Sequence, residues 1–142
     1  MSEKNKAFSR RIFDEAWAGE LDVADEVLEE GYVMYGLGVE LPPGPGGFKL
    51  FVSTYRTAFP DVQMTVEDQI AEGDMAVTRW TARGTHRGEL MGIPATGNEI
   101  EVMGMAMGRA AGDKMVEGWT NWDGLGMLQQ LGVIPPIGES SE

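Results

Sequence analysis

His86, Asp123 and Arg79 are the residues of this sequence that suit acid–base and anion chemistry. His86 is the single histidine, and an imidazole titrates in the range a general acid or base needs near neutral pH. Its alternative role is a backbone hydrogen bond where a strand bends. Asp123 ends the stretch E-G-W-T-N-W-D (Glu117 to Asp123) and precedes G-L-G-M-L-Q-Q-L-G. It can orient a base or a water, or it can cap a helix by accepting from the amides of Gly124 to Gly126. Arg79 stands mid-strand with Val77, Thr81 and Arg83 on its face. It can bind a substrate oxyanion or carboxylate, or pair with an acid, because an unpaired buried charge is costly. There is no cysteine, so a thiol nucleophile, a disulfide and a thiolate metal site are excluded. One histidine makes a transition-metal centre unexpected, and L-P-P-G-P-G-G lacks the spacing of a phosphate-binding loop. No metal and no cofactor are expected.

Those residues need elements to hold them. Phe8, Ile12 and Ala16, widened by Phe13 and Trp17, predict a helix over 4–18, ended by Gly19. A shorter helix is expected over 22–29 and a strand over 32–35. The loop 36–47, dense in Gly and Pro, cannot be regular, and a third helix is expected over 48–59, stopped by Pro60. Alternation then predicts a strand from Asp61, a tight connection at Glu72-Gly73-Asp74, strands over 75–83, 100–109 and 114–122, and a closing helix over 124–131. Three helices followed by a meander of strands is an α+β order: a curved antiparallel sheet wrapped over N-terminal helices, forming a cone with one pocket. One domain over 1–142 is expected, with the tail 138–142 disordered.

Within that cone, Thr120, Thr81, Tyr35 and Tyr55 are candidate hydrogen-bonders, and Trp17, Trp80, Trp119 and Trp122 candidate walls. Glu117 lies three residues before Thr120, so alternation puts the two on opposite faces. Met103, Met105 and Met107 alternate with Gly104, Ala106 and Gly108. Either the small residues face the pocket and the Met row packs against a second copy, or the Met row supplies soft pocket walls.

The net charge is -12, from 23 acids against 11 bases, which disfavours nucleic acid and anionic membrane as partners. Eight acids and no base fall between Asp14 and Glu30, the pattern of solvated outer helix faces. No apolar run has signal-peptide or membrane-span length, so a cytoplasmic address is expected. The expected partners are a small apolar molecule and a homodimer mate.

The pieces F-P-D (Phe59 to Asp61), E-G-D (Glu72 to Asp74), G-T-H-R-G-E-L-M-G-I-P-A-T-G (Gly84 to Gly97), E-G-W-T-N-W-D and L-Q-Q-L-G-V-I-P (Leu128 to Pro135) resemble SnoaL-like polyketide cyclases, in order along nearly the whole chain. The resemblance implies the cone shared with scytalone dehydratase, ketosteroid isomerase and limonene-epoxide hydrolase. It also implies that the apolar cone, not a cofactor, holds the substrate. In the cyclases an Asp on the last strand is the general acid/base for ring closure, and that position is Thr120 here. Their supporting Gln and His fall at Gly104 and Ala106, and their Asn at Met34. The epoxide-hydrolase Arg-x-Asp falls at Arg79 and Thr81, with the second Asp again at Thr120. The resemblance thus implies a cofactor-independent cyclase or isomerase acting on a small or polycyclic apolar carbonyl compound, with its usual acid replaced. A non-catalytic binder of an apolar ligand is the alternative, and an epoxide hydrolase a weaker one.

Overall fold

The computed structural model describes residues 2–136 and 138. Helix α1 (Ser2–Arg11) runs into a π-helical turn over Ile12–Ala16, and Gly19 ends the segment at φ +109°, a conformation that favours glycine. Helix α2 (Val23–Val27) is followed directly by β1 (Leu28–Tyr35), and α3 (Pro45–Ala58) by the strands β2 (Gln63–Glu72), β3 (Met75–Thr85), β4 (Glu99–Ala111) and β5 (Lys114–Trp122); α4 (Gly124–Gln130) closes the chain. The expectation of a disordered tail over 138–142 lies, apart from Gly138, outside the described residues.

The strands form one curved sheet in the order β1-β5-β4-β3-β2. All pairs are antiparallel except β1 with β5, which run parallel. The fold is therefore α+β, as expected, with one parallel edge pair. The hydrophobic core lies between the helices and the concave face: Ile12, Phe13, Ala16 and Trp17 from the first helical segment meet Trp80, Ala82, Ile100 and Val102 of the sheet. No helix among the described residues is long and apolar enough to cross a membrane.

Two boundaries differ most from the sequence expectation. The expected helix over 22–29 stops at Val27, and Leu28 to Gly31 join β1 instead. Glu29 and Glu30 favour helix locally, but edge pairing with β5 overrides that preference, and a bulge between Leu28 and Val33 absorbs the misfit. Helix α3 begins at Pro45, three residues earlier than expected, because a proline is preorganised for the first helical position.

Candidate active site

A cavity of about 100 Å³ lies between the helices and the concave face of the sheet. Alternation along β4 and β5 sets its wall. Met103 and Met105 point outward and are 52% and 55% exposed, while Gly104, Ala106 and Gly108 turn inward. The small residues therefore face the cone. Across the ladder Thr120 pairs with Ala106, and Trp122 with Gly104. Thr120 and Trp122 line the cavity, whereas Glu117 sits opposite Arg109 and binds it at 3.1 Å.

Three of the inward positions are bare backbone covered by a large side chain. A Cβ on Gly104 would collide with the indole of Trp80, one on Gly108 with the Met115 methyl, and one on Gly118 with the Tyr32 hydroxyl. On the helical side Tyr55 stands edge-on to Trp122, with ring centroids 5.8 Å apart and planes at 88°, and also packs on Phe51 and Trp17. Burial pushes the pKa of both Tyr32 and Tyr55 above the ordinary value, so each stays a neutral hydrogen-bond donor.

Among the sequence candidates, Trp17, Met34, Tyr55, Trp80, Ala106, Trp119, Thr120 and Trp122 line this cavity. Gly104 faces inward, but Trp80 fills the space above it. Tyr35 and Thr81 are elsewhere. Tyr35 follows Met34 directly in β1, so the two occupy opposite faces. Its ring stacks on Trp119 at 5.5 Å and is 43% exposed. Thr81 shares the outward face of β3 with Arg79.

None of the three catalytic candidates reaches the cavity. Arg79 is on the outer face and binds Asp68 of β2 at 2.6 Å. Asp123 is the N-cap of α4 and accepts from the Gly126 amide at 2.8 Å. His86 is fully buried, and its ring packs on Phe59 with centroids 5.4 Å apart. Its backbone bonds to Asn98 and Gly97, and its Nδ1 accepts from the Thr96 amide at 3.2 Å. An amide can only donate, so Nδ1 is an acceptor here, and Nε2 has no partner among the described residues. The adjoining Thr85 donates from its amide and its hydroxyl to Asp61, both at 2.7 Å, and these bonds hold the Asp61 carboxyl below its usual pKa. The F-P-D and G-T-H…T-G pieces are thus two halves of one clip behind the sheet's end.

Tyr32 and Ser9 line the cavity and were not singled out from the sequence. Alternation carried the signal for Tyr32, since a Met34 that faces inward requires Tyr32 to do the same. Ser9 gave none, because a lone serine on an amphipathic helix reads as solvent-facing. Among the described residues, no carboxylate, imidazole, ammonium or guanidinium group lines the cavity. Among the described residues no group of three or more His, Cys, Asp or Glu side chains is placed to hold a metal ion.

An α+β cone with an apolar chamber on its concave face is the class of molecule defined here. The chain belongs to the SnoaL-like polyketide cyclase family, whose family model matches residues 8–131. It is similar to IdmH, a proposed polyketide cyclase from Streptomyces antibioticus, at 31% identity and TM-score 0.76 over 91% of this chain and 99% of that one. It shares its fold with a proposed SnoaL-like polyketide cyclase from Jannaschia sp. CCS1 (23% identity, TM-score 0.83, 94% and 95% covered). AclR, a proposed hydroxylase from Streptomyces galilaeus, has the same fold (24% identity, TM-score 0.84, 98% and 87% covered). No curated protein matches the chain.

Proposed function

We propose that the chain is a cofactor-independent cyclase or isomerase of the SnoaL-like type, acting on an apolar carbonyl compound held in the cavity. The observation that carries this reading is the lining itself: an apolar chamber whose polar points include hydroxyls, in a chain of this family. Tyr55 and Thr120 are the groups assigned to the substrate, with Trp17, Trp122, Met34 and Ala106 as its walls. Thr120 is nearly uncommitted, since its one hydrogen bond, to the Met105 carbonyl, is long at 3.4 Å.

The chemistry follows from what such a wall can supply. A 1,3-dicarbonyl compound carries an acidic C–H, and that proton leaves to water. The enolate oxygen takes a hydrogen bond from a cavity hydroxyl. The enolate carbon then attacks a second carbonyl carbon of the same molecule, and the alkoxide formed there takes a proton back from water, so the closure is proton-neutral. Hydrogen-bond donors aimed at developing negative charge in a dry site are worth more than in water. The walls hold the chain folded on itself, which removes much of the entropic cost of closure. His86, Asp123 and Arg79 have no part in this scheme. Epoxide hydrolysis finds no support, because it needs two inward carboxylates beside Arg79.

That no carboxylate or imidazole of the described residues lines the chamber favours a second reading, in which it sequesters an apolar ligand without turnover. One experiment separates the two. Cyclic and open-chain β-dicarbonyl compounds are titrated while tryptophan fluorescence is read, and each mixture is then analysed by chromatography and mass spectrometry. The enzyme reading expects saturable quenching and product above the buffer rate, with Tyr55→Phe and Thr120→Val each at least about tenfold slower. Quenching without product supports the binder, and no quenching by any compound rejects both. The outward Met103 and Met105 support the further proposal of a homodimer joined through the convex face of the sheet.

A further inference from the structure

One end of the cavity carries polar side chains that the scheme above leaves unused. Gly108 and Gly118 are direct partners across β4 and β5, and both line the cavity. Opposed residues of an antiparallel pair hold their Cβ positions about 5 Å apart. The Tyr32 hydroxyl rests against the Cβ position of Gly118, and Ser9 Oγ lies 4.0 Å from that of Gly108. Two hydroxyls therefore approach one glycine pair, from β1 and from α1, with the Met115 methyl also lying over Gly108. Asn5, one helical turn before Ser9, is fully buried; its Nδ2 donates to the Asp74 and Gly108 carbonyls, and its Oδ1 has no partner among the described residues. Tyr32 is only 7% exposed, and its side chain lines the cavity. Burial alone accounts for its raised pKa. A hydroxyl on the wall of an apolar chamber gains a hydrogen bond when a ligand brings an acceptor to it.

The space at hand limits the ligand. A cavity of about 150 Å³ walled by aliphatic and aromatic side chains takes up benzene. At about 100 Å³ this chamber encloses no more than about one ring. The Tyr55–Trp122 pair lies at the level of Gly104, four residues from Gly108 and so about 13 Å along the strand.

We infer that Tyr32, seconded by Ser9, anchors a carbonyl or enolate oxygen of a monocyclic apolar ligand above Gly108 and Gly118. The inference rests on the cavity being the ligand site, as proposed above, and it fixes which end of the ligand carries the oxygen. The donor is the neutral Tyr32 O–H, so the bond requires an acceptor and discriminates against a hydrocarbon of the same shape.

Acetophenone and α-methylstyrene differ only in C=O against C=CH2 and make the test. Affinities are read by tryptophan fluorescence for the wild type, Tyr32→Phe and Ser9→Ala. Tyr32→Phe is expected to weaken acetophenone about 3- to 10-fold, the range of one neutral hydrogen bond, and to leave α-methylstyrene unchanged. Ser9→Ala is expected to have a smaller effect of the same selectivity. In the wild type alone, the infrared C=O stretch of bound acetophenone is expected below its value in hexane. An unshifted stretch overturns the inference, as does a Tyr32→Phe variant that weakens both ligands equally or neither. Failure of the wild type to bind either molecule rejects the cavity as the ligand site and this inference with it.

Discussion

Thr120 stands in a wall made mostly of hydrocarbon, which determines what a carboxylate there would experience. An Asp at this position loses its hydration, so its pKa rises above the ordinary value of about 3.9. A group with a raised folded-state pKa stabilises the fold at low pH, and that contribution is lost as pH climbs past the unfolded value. Thr120→Asp is therefore expected to lose about 3 kcal/mol of stability between about pH 4 and about pH 8, corresponding to roughly two pKa units, while Thr120→Asn stays flat. Urea denaturation at the two pH values measures it, and parallel profiles for the two variants would show that Thr120 is wet. Alternation alone put Thr120 and Glu117 on opposite faces, and the structure shows that Thr120 is the one that lines the cavity. The same rule, applied to β1, forbids Met34 and Tyr35 from sharing the pocket, and Tyr35 is the one that turns out. His86 was legible only as an alternative: its type suits catalysis, and its use as a backbone clamp depends on Thr96 and Phe59 arriving from other segments.

At the scale of elements, the clip between Asp61 and Thr85 holds the end of β3 to the turn after α3. The Thr85 amide and hydroxyl depress the Asp61 pKa from its ordinary 3.8. A depressed folded-state pKa stabilises above the unfolded value, and the contribution disappears as pH falls through the folded one. Asp61→Ala is expected to lower Tm by a few degrees near neutral pH, and the gap to wild type should close below about pH 4. Calorimetry at a series of pH values checks this, and a gap independent of pH would assign the loss to packing. The strand pattern of 63–122 was readable because polar and apolar residues alternate on a sheet with one buried face. The start of β1 was not, since Leu28-Glu29-Glu30-Gly31 has the composition of a helix end and becomes a strand only by lying beside β5.

At the scale of the molecule, the convex face of the sheet bears Met103, Met105, Ile70, Tyr35 and Val33, all exposed. Arg79 with Asp68, Arg83 with Glu101 and Arg109 with Asp74 and Glu117 neutralise one another locally around them. The arginines of that face are thus already paired, although two chains of net charge -12 repel at a distance. The double variant Met103→Lys/Met105→Lys is expected to be monomeric in light scattering at concentrations where the wild type is dimeric. Added salt should strengthen the wild-type dimer by screening that repulsion. A wild type monomeric at all concentrations rejects the interface. The alternating Met row was visible in the sequence. Its direction followed only once Gly104, Ala106 and Gly108 were seen to face the helices.

The three covered glycines give the chamber an unusual economy. Its floor is peptide, and its volume is set by Trp80, Met115 and Tyr32, which lie across Gly104, Gly108 and Gly118 like removable tiles. A lineage can therefore resize or reshape the chamber by exchanging a tile, one codon at a time, while every strand stays in register. That offers a physical reason why one scaffold tolerates many ligand shapes.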